Sequence, residues 1–74
     1  MKEFKVKVIS QGNGVPNQDV EAQEESKPRV TVKTDANGIA SFQVPEDVYI
    51  SIYFGGKFQG VFDTRSTSKT AIEI

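Results

Sequence analysis

Apolar and polar residues alternate along almost the whole chain with a period of two. This is the spacing at which successive side chains of a β-strand point to opposite faces, whereas an amphipathic helix repeats at about 3.6 residues. The pattern predicts seven short strands, and their inward-facing rows are Phe4, Val6 and Val8; Val20 and Ala22; Val30 and Val32; Ala40, Phe42 and Val44; Val48, Ile50, Ile52 and Phe54; Phe58 and Phe62; and Ile72 and Ile74.

Residue clusters that suit turns separate these rows. The Gly55-Gly56 pair is the best defined of them, because a two-residue hairpin needs positive φ and glycine supplies it without strain. Seven strands with turns at roughly ten-residue spacing are typical of a β-sandwich or barrel. Residues 1–74 are therefore predicted to form a single all-β domain.

The composition limits how this domain can be stabilised and what it can bind. The 74 residues include no Cys and no His, which excludes disulfides and a Cys/His zinc site. Stability must then come from apolar packing, backbone ladders, or association with other copies or with a parent protein. Nine basic and ten acidic residues leave a net charge of −1, so no broad field attracts nucleic acid. We expect no cofactor and no nucleic-acid partner.

The N-terminal residues have the pattern of a strand. Phe4, Val6 and Val8 alternate with Lys5 and Lys7, whereas a signal peptide would show a continuous apolar run. No stretch is long and apolar enough to suggest membrane insertion. The expectation is a cytoplasmic protein as written, or a domain cut from a longer secreted or cell-surface protein.

One segment carries a family pattern: Thr34-Asp35-Ala36-Asn37-Gly38-Ile39-Ala40-Ser41-Phe42, followed by Pro45 and Tyr49. It resembles the prealbumin-like sandwich superfamily, which includes carboxypeptidase regulatory-like domains and the B-type repeats of bacterial collagen adhesins. The upstream Gly14-Val15-Pro16 and Val20 are similar to the entry into that family's second strand. The resemblance implies a seven-stranded antiparallel Greek-key sandwich of prealbumin-like, immunoglobulin-like type.

Chemistry known in this superfamily is not expected here. A ring-opening hydrolase of prealbumin-like fold relies on His residues, which this chain lacks. Some collagen-adhesin domains form an isopeptide between a first-strand Lys and a last-strand Asn. Lys5 and Lys7 lie on the first predicted strand, but both are out of phase with its apolar face and residues 69–74 contain no Asn. The serines and residues 64–70 are interpreted as a solvated loop, and the chain is predicted not to be an enzyme.

Two further ligand classes are weighed on local patterns. Asp35 and Asn37 beside Gly38 suggest a calcium loop, but two side chains fall short of the six or more oxygens the ion needs, so an Asx turn is predicted. Phe58 and Phe62 near Lys57 suggest base stacking in a small barrel that binds single strands. Because both phenylalanines share the inward phase, core packing is the prediction instead.

Tyr49 and Tyr53 are the candidate contact residues. Both fall on the polar phase of the strand whose other face carries Val48, Ile50 and Ile52. Tyrosine is enriched in protein interfaces, so the two side chains are candidates for a patch that contacts a protein partner, domains of a parent protein or other copies of this chain. The alternative is a structural role, with this face partly covered by a loop or with Tyr49 as a corner residue that hydrogen-bonds to backbone. The predicted function is a non-catalytic structural or protein-interaction module. The alternative is a small-ligand domain whose tyrosines stack on carbohydrate.

Overall fold

A computed structural model describes residues 1–74 and contains strands and turns but no helix, so the all-β prediction is confirmed. Accordingly, no helix is present that could span a membrane. The eight strands are β1 Lys2–Ser10, β2 Asn13–Gly14, β3 Asp19–Glu24, β4 Val30–Lys33, β5 Ile39–Val44, β6 Tyr49–Phe54, β7 Lys57–Asp63 and β8 Lys69–Glu73.

The strands form two four-stranded sheets that enclose one core. The first sheet is built on β1, which pairs with β5 and the short β2 in antiparallel fashion and with β8 in parallel. The second sheet has the order β4-β3-β6-β7 and is antiparallel throughout. Side chains from both sheets fill the space between them, which is the arrangement of a β-sandwich.

Two details of the predicted topology are wrong. Eight strands are present and not seven, because Asn13 and Gly14 pair with Ser10 and Ile9 at the end of β1. The sandwich is also not wholly antiparallel, since β1 and β8 run in the same direction. Hydrophobic alternation specifies which face of a strand is buried, but it carries no information on the direction of the neighbouring strand.

The buried residues confirm, for most strands, which side chains were predicted to face the core. Its eleven buried apolar residues are Phe4, Val6, Val8, Val20, Ala22, Ala40, Phe42, Val44, Ile50, Ile52 and Ile72. Val30, Phe58 and Ile74 were also predicted to point inward, but each is more than half exposed. Val30 lies on the edge strand β4, and Ile74 lies beyond the end of β8. Phe58 is turned outward by a β-bulge in β7.

Two threonines are buried and fasten loops to the sandwich. The Thr34 hydroxyl donates to the Val15 carbonyl at 2.6 Å and accepts the Gln18 N–H at 2.9 Å. The Thr64 hydroxyl lies 3.0 Å from the carbonyl oxygens of both Pro45 and Val48 and accepts the Val48 N–H at 3.1 Å. Thr64 is fully buried, so its prediction as part of a solvated loop is wrong.

Gly14 and Gly38 bring two chain segments into backbone contact. A Cβ at Gly38 would lie 2.6 Å from the Val15 nitrogen, and one at Gly14 would lie 2.0 Å from the Asn37 carbonyl oxygen. Gly38 has φ of +81°, a backbone conformation that glycine adopts without strain. Neither glycine has room for a side chain, because the backbone of the other segment lies directly against it.

Candidate interaction surface

Tyr49 and Tyr53 lie on the face of β6 that points away from the core. They alternate with Ile50 and Ile52, which are buried on the opposite face of the same strand. Tyr49 is 56% exposed, and Tyr53 is half-buried. β6 is an internal strand of its sheet, between β3 and β7. The two tyrosines therefore stand within a sheet surface and not at its edge.

A β-bulge in β7 places Phe58 on the same outer face. Ile52 is opposite Gly60, but Tyr53 is opposite Phe58, so Gln59 is an extra residue in the ladder. An extra residue reverses the phase of the side chains on one side of the bulge. Phe62 therefore points inward and packs on Phe4 at 5.6 Å between ring centroids, whereas Phe58 points outward. The prediction that the two phenylalanines share the core face is wrong.

Phe58 and Arg29 together surround the ring of Tyr53. The Phe58 ring meets it edge-on, with centroids 5.7 Å apart and planes inclined by 61°. The guanidinium carbon of Arg29 lies 3.7 Å from the Tyr53 centroid, well inside the distance of a cation–π contact. Arg29 is in turn 3.8 Å from the Glu21 carboxylate. The Tyr53 ring is thus held between two other side chains.

A second arginine stands beside Tyr49. The Arg65 guanidinium is 6.0 Å from the Tyr49 ring centroid and lies 3.1 Å from Asp63 and 3.2 Å from Asp47. Its hydrogen bond to Asp63 lowers the pKa of that carboxyl and raises the pKa of Arg65. Each charge thus stabilises the other, and the charge of Arg65 is balanced within the chain.

We call this surface the aromatic face. Three of the six large apolar side chains exposed on the molecule lie on it, namely Tyr49, Phe58 and Val61. Val61 is directly opposite Ser51 in the β6–β7 ladder and so lies between the two tyrosines. Both arginines have acidic partners, which leaves the face without an uncompensated cation. The aromatic face comprises Tyr49, Tyr53, Phe58, Val61, Arg29 and Arg65.

The predicted Asx turn is present at Asp35. One carboxylate oxygen of Asp35 accepts the N–H groups of Asn37 at 2.8 Å and Ile39 at 3.0 Å. These hydrogen bonds, the one from Ile39 first, lower the pKa of Asp35. No cluster of three or more acidic side chains is present that could hold a metal ion. The carboxylate thus serves the turn that precedes β5.

The lysines weighed for a crosslink lie on the surface of the other sheet. Lys5 and Lys7 alternate with the core residues of β1 and are exposed on its outer face. The Lys5 ammonium is 3.5 Å from the Glu3 carboxylate. Opposite them on β8 are Lys69 and Ala71. Each lysine is therefore separated from the core by its own strand.

Four members of the aromatic face were not predicted from the sequence, namely Phe58, Val61, Arg29 and Arg65. Phe58 was assigned to the core, although Gly60 within the strand was a usable signal, because an isolated glycine in a strand often marks a bulge. Arg29 has no local signal at all. Its stacking depends on the pairing of β4 with β3 and of β3 with β6, which brings residues 29 and 53 together.

Two comparisons with known proteins were made for this sequence, and neither found a match. No family model matches the sequence, and no curated protein matches it.

Proposed function

We propose that this chain is a non-catalytic protein-interaction module and that the aromatic face is its contact surface. The observation that carries the proposal is the packed arrangement of Arg29, Tyr53 and Phe58 on an exposed sheet face. Tyrosine and arginine are the residue types most enriched at the energetic centres of interfaces. Because these side chains are already ordered against one another, less side-chain entropy is lost when a partner covers them.

The charges on the face indicate the chemistry of the partner. Arg29 is paired with Glu21, and Arg65 with Asp63 and Asp47. A strongly acidic partner such as a nucleic acid would find no free cation here and would meet these carboxylates. The occupant that fits is a protein surface of mixed apolar and polar character with little net charge.

We further propose that the sandwich is of the prealbumin-like, Greek-key type. The route of the chain supports this proposal: β3 and β4 form a hairpin, β5 crosses to the other sheet, and β6 returns to lie beside β3. A fourth strand that returns to the first is the defining connection of a Greek key. The mutual contact of Gly14 and Gly38 ties together the two segments that carry the family pattern.

The test is capture of partners by the immobilised chain, quantified by mass spectrometry. We expect partners of the parent chain to be lost from a Tyr49→Ala/Tyr53→Ala double variant. The matched control is Lys7→Ala, which removes an exposed side chain from the outer face of the other sheet. Circular dichroism must show that each variant stays folded. An unchanged set of partners for the double variant would refute the aromatic face as the contact surface.

Carbohydrate binding is a second candidate, favoured by one observation. A shallow depression of about 400 Å³ beside Tyr49 is lined by polar groups that include Gln23 and Ser51. Against it, Arg29 occupies one face of the Tyr53 ring, so that ring is not free to stack on a sugar. A glycan array separates the two functions: binding that Tyr49→Ala abolishes and Tyr53→Ala leaves intact would favour a sugar site.

A further inference from the structure

The outer edge of β8 is unpaired. β8 bonds only to β1: the Ser68 carbonyl accepts the Lys5 N–H at 3.0 Å, and the Ile74 N–H donates to the Ile9 carbonyl at 2.8 Å. Backbone groups of successive strand residues point to alternate sides. The residues of β8 that direct their N–H and C=O groups away from β1 are therefore Lys69, Ala71 and Glu73, all of which are exposed.

Of the other three sheet edges, β7 and β4 are blunted and β5 is engaged at its first residue. β7 contains the bulge at Gln59. β4 has only four residues and follows closely on Pro28. On β5, the Ile39 N–H and carbonyl are already bonded to the side chain and backbone of Asp35. Bulges, very short strands and proline are devices that prevent edge pairing, and β8 has none of them. Its charged residues Lys69 and Glu73 also disfavour pairing, unless the opposite strand places a residue of opposite charge against each of them.

We propose that two copies of this chain pair through β8, antiparallel, about a two-fold axis at Ala71. In this register Ala71 is opposite Ala71 of the second copy, and Lys69 is opposite Glu73. All the outward backbone groups of the three residues then find partners, in about six hydrogen bonds across the junction. The sheets built on β1 become one continuous sheet across the dimer.

Charge complementarity selects this register and direction. Within one chain, Lys69 is directly opposite Lys5 of β1, which is unfavourable for like charges. Neither Lys69 nor Glu73 has an ion-pair partner among the salt bridges of the chain. Across the proposed axis each Lys69 meets Glu73 of the other copy, twice by symmetry. A slip of two residues would place Lys69 opposite Ala71 and lose both pairs.

Sedimentation equilibrium of the full chain tests the dimer, at loading concentrations up to about 1 mM because so small an interface gives weak association. We expect Lys69→Glu alone and Glu73→Lys alone each to weaken dimerisation about tenfold or more, since like charges then face each other. An equimolar mixture of these two variants should recover association. In the mixed dimer one copy is acidic at both positions 69 and 73 and the other copy is basic at both, so each facing pair of side chains has opposite charges. The matched control, Lys33→Glu on β4, should dimerise as the parent does.

Ala71→Pro supplies a second test that does not depend on charge. It removes an N–H that points to the free edge, where proline is tolerated, and leaves the bonds to β1 in place. We expect this variant to be folded by circular dichroism and monomeric at all concentrations. A parent chain that is monomeric throughout would overturn the proposal. So would single charge variants that dimerise as well as the parent, or a dimer that Tyr53→Ala disrupts while the β8 variants preserve it.

Discussion

The close approach at Gly38 can be measured against a glycine with almost the same backbone conformation. Gly38 has φ of +81° and Gly12 has φ of +83°, but a Cβ at Gly12 would meet no atom within 4 Å. At Gly38 the added Cβ would lie 2.6 Å from the Val15 nitrogen and 2.7 Å from the Gly14 Cα. Alanine at either position therefore has the cost of a positive φ, but only alanine at position 38 also clashes with neighbouring backbone atoms.

The shared cost of positive φ is about 1–2 kcal/mol. At Gly38 the clash is with backbone atoms, which can move apart only by weakening the bonds that hold the segments together. These are the Val8 N–H to the Gly38 carbonyl at 2.8 Å and the Val15 N–H to the Val8 carbonyl at 2.9 Å. Each is worth about 1 kcal/mol. We expect Gly38→Ala to lower the free energy of unfolding by about 3–4 kcal/mol and Gly12→Ala by about 1–2 kcal/mol.

Urea unfolding followed by circular dichroism measures both changes on one scale. A domain of 74 residues has a free energy of unfolding of about 4–11 kcal/mol. Gly38→Ala should therefore remove between about a quarter and nearly all of this stability, and Gly12→Ala should remove distinctly less. Any effect of Gly→Ala on the unfolded chain is common to the two variants. Equal losses at both positions would show that the contact with Gly14 and Val15 contributes nothing.

Three further predictions concern the core, a buried hydroxyl and a carboxylate. Phe42→Ala should cost about 3–5 kcal/mol in urea unfolding, and a variant that melts within a few degrees of the parent would contradict the core assignment. Thr64→Val should cost about 1–3 kcal/mol because it leaves the Val48 N–H without its acceptor, whereas Thr31→Val on the exposed face of β4 should change stability by less than about 0.5 kcal/mol. The lowered pKa of Asp35 means that its contribution is present above the usual carboxyl value of 3.8 and is lost as the pH falls through the folded-state pKa. The melting temperature should therefore decline in this acidic range less steeply for Asp35→Asn than for the parent, and equal slopes would refute the role of this turn.

Only part of the aromatic face could be predicted from local sequence patterns. The alternation of Tyr49, Ser51 and Tyr53 with Ile50 and Ile52 was enough to predict which side chains of β6 face outward. The same local pattern did not predict which side chains pack against these tyrosines. The face became a candidate interaction surface only through Arg29 and Phe58, which reach Tyr53 from the loop before β4 and from β7.

The sequence by itself determined the class of the protein, because strand periodicity and turn glycines are local properties. The inward phase of β1, β3, β5 and most of β6 follows from alternation alone, and the Gly55-Gly56 turn follows from its need for positive φ. Only the tertiary structure decided the outward position of Phe58, the burial of Thr64 and the parallel pairing of β1 with β8. The parallel pairing joins the first strand to the last, the position of Phe58 depends on the bulge in the β6–β7 ladder, and Thr64 is buried by its bonds to Pro45 and Val48. The periodicity of apolar residues within one segment encodes none of these three contacts.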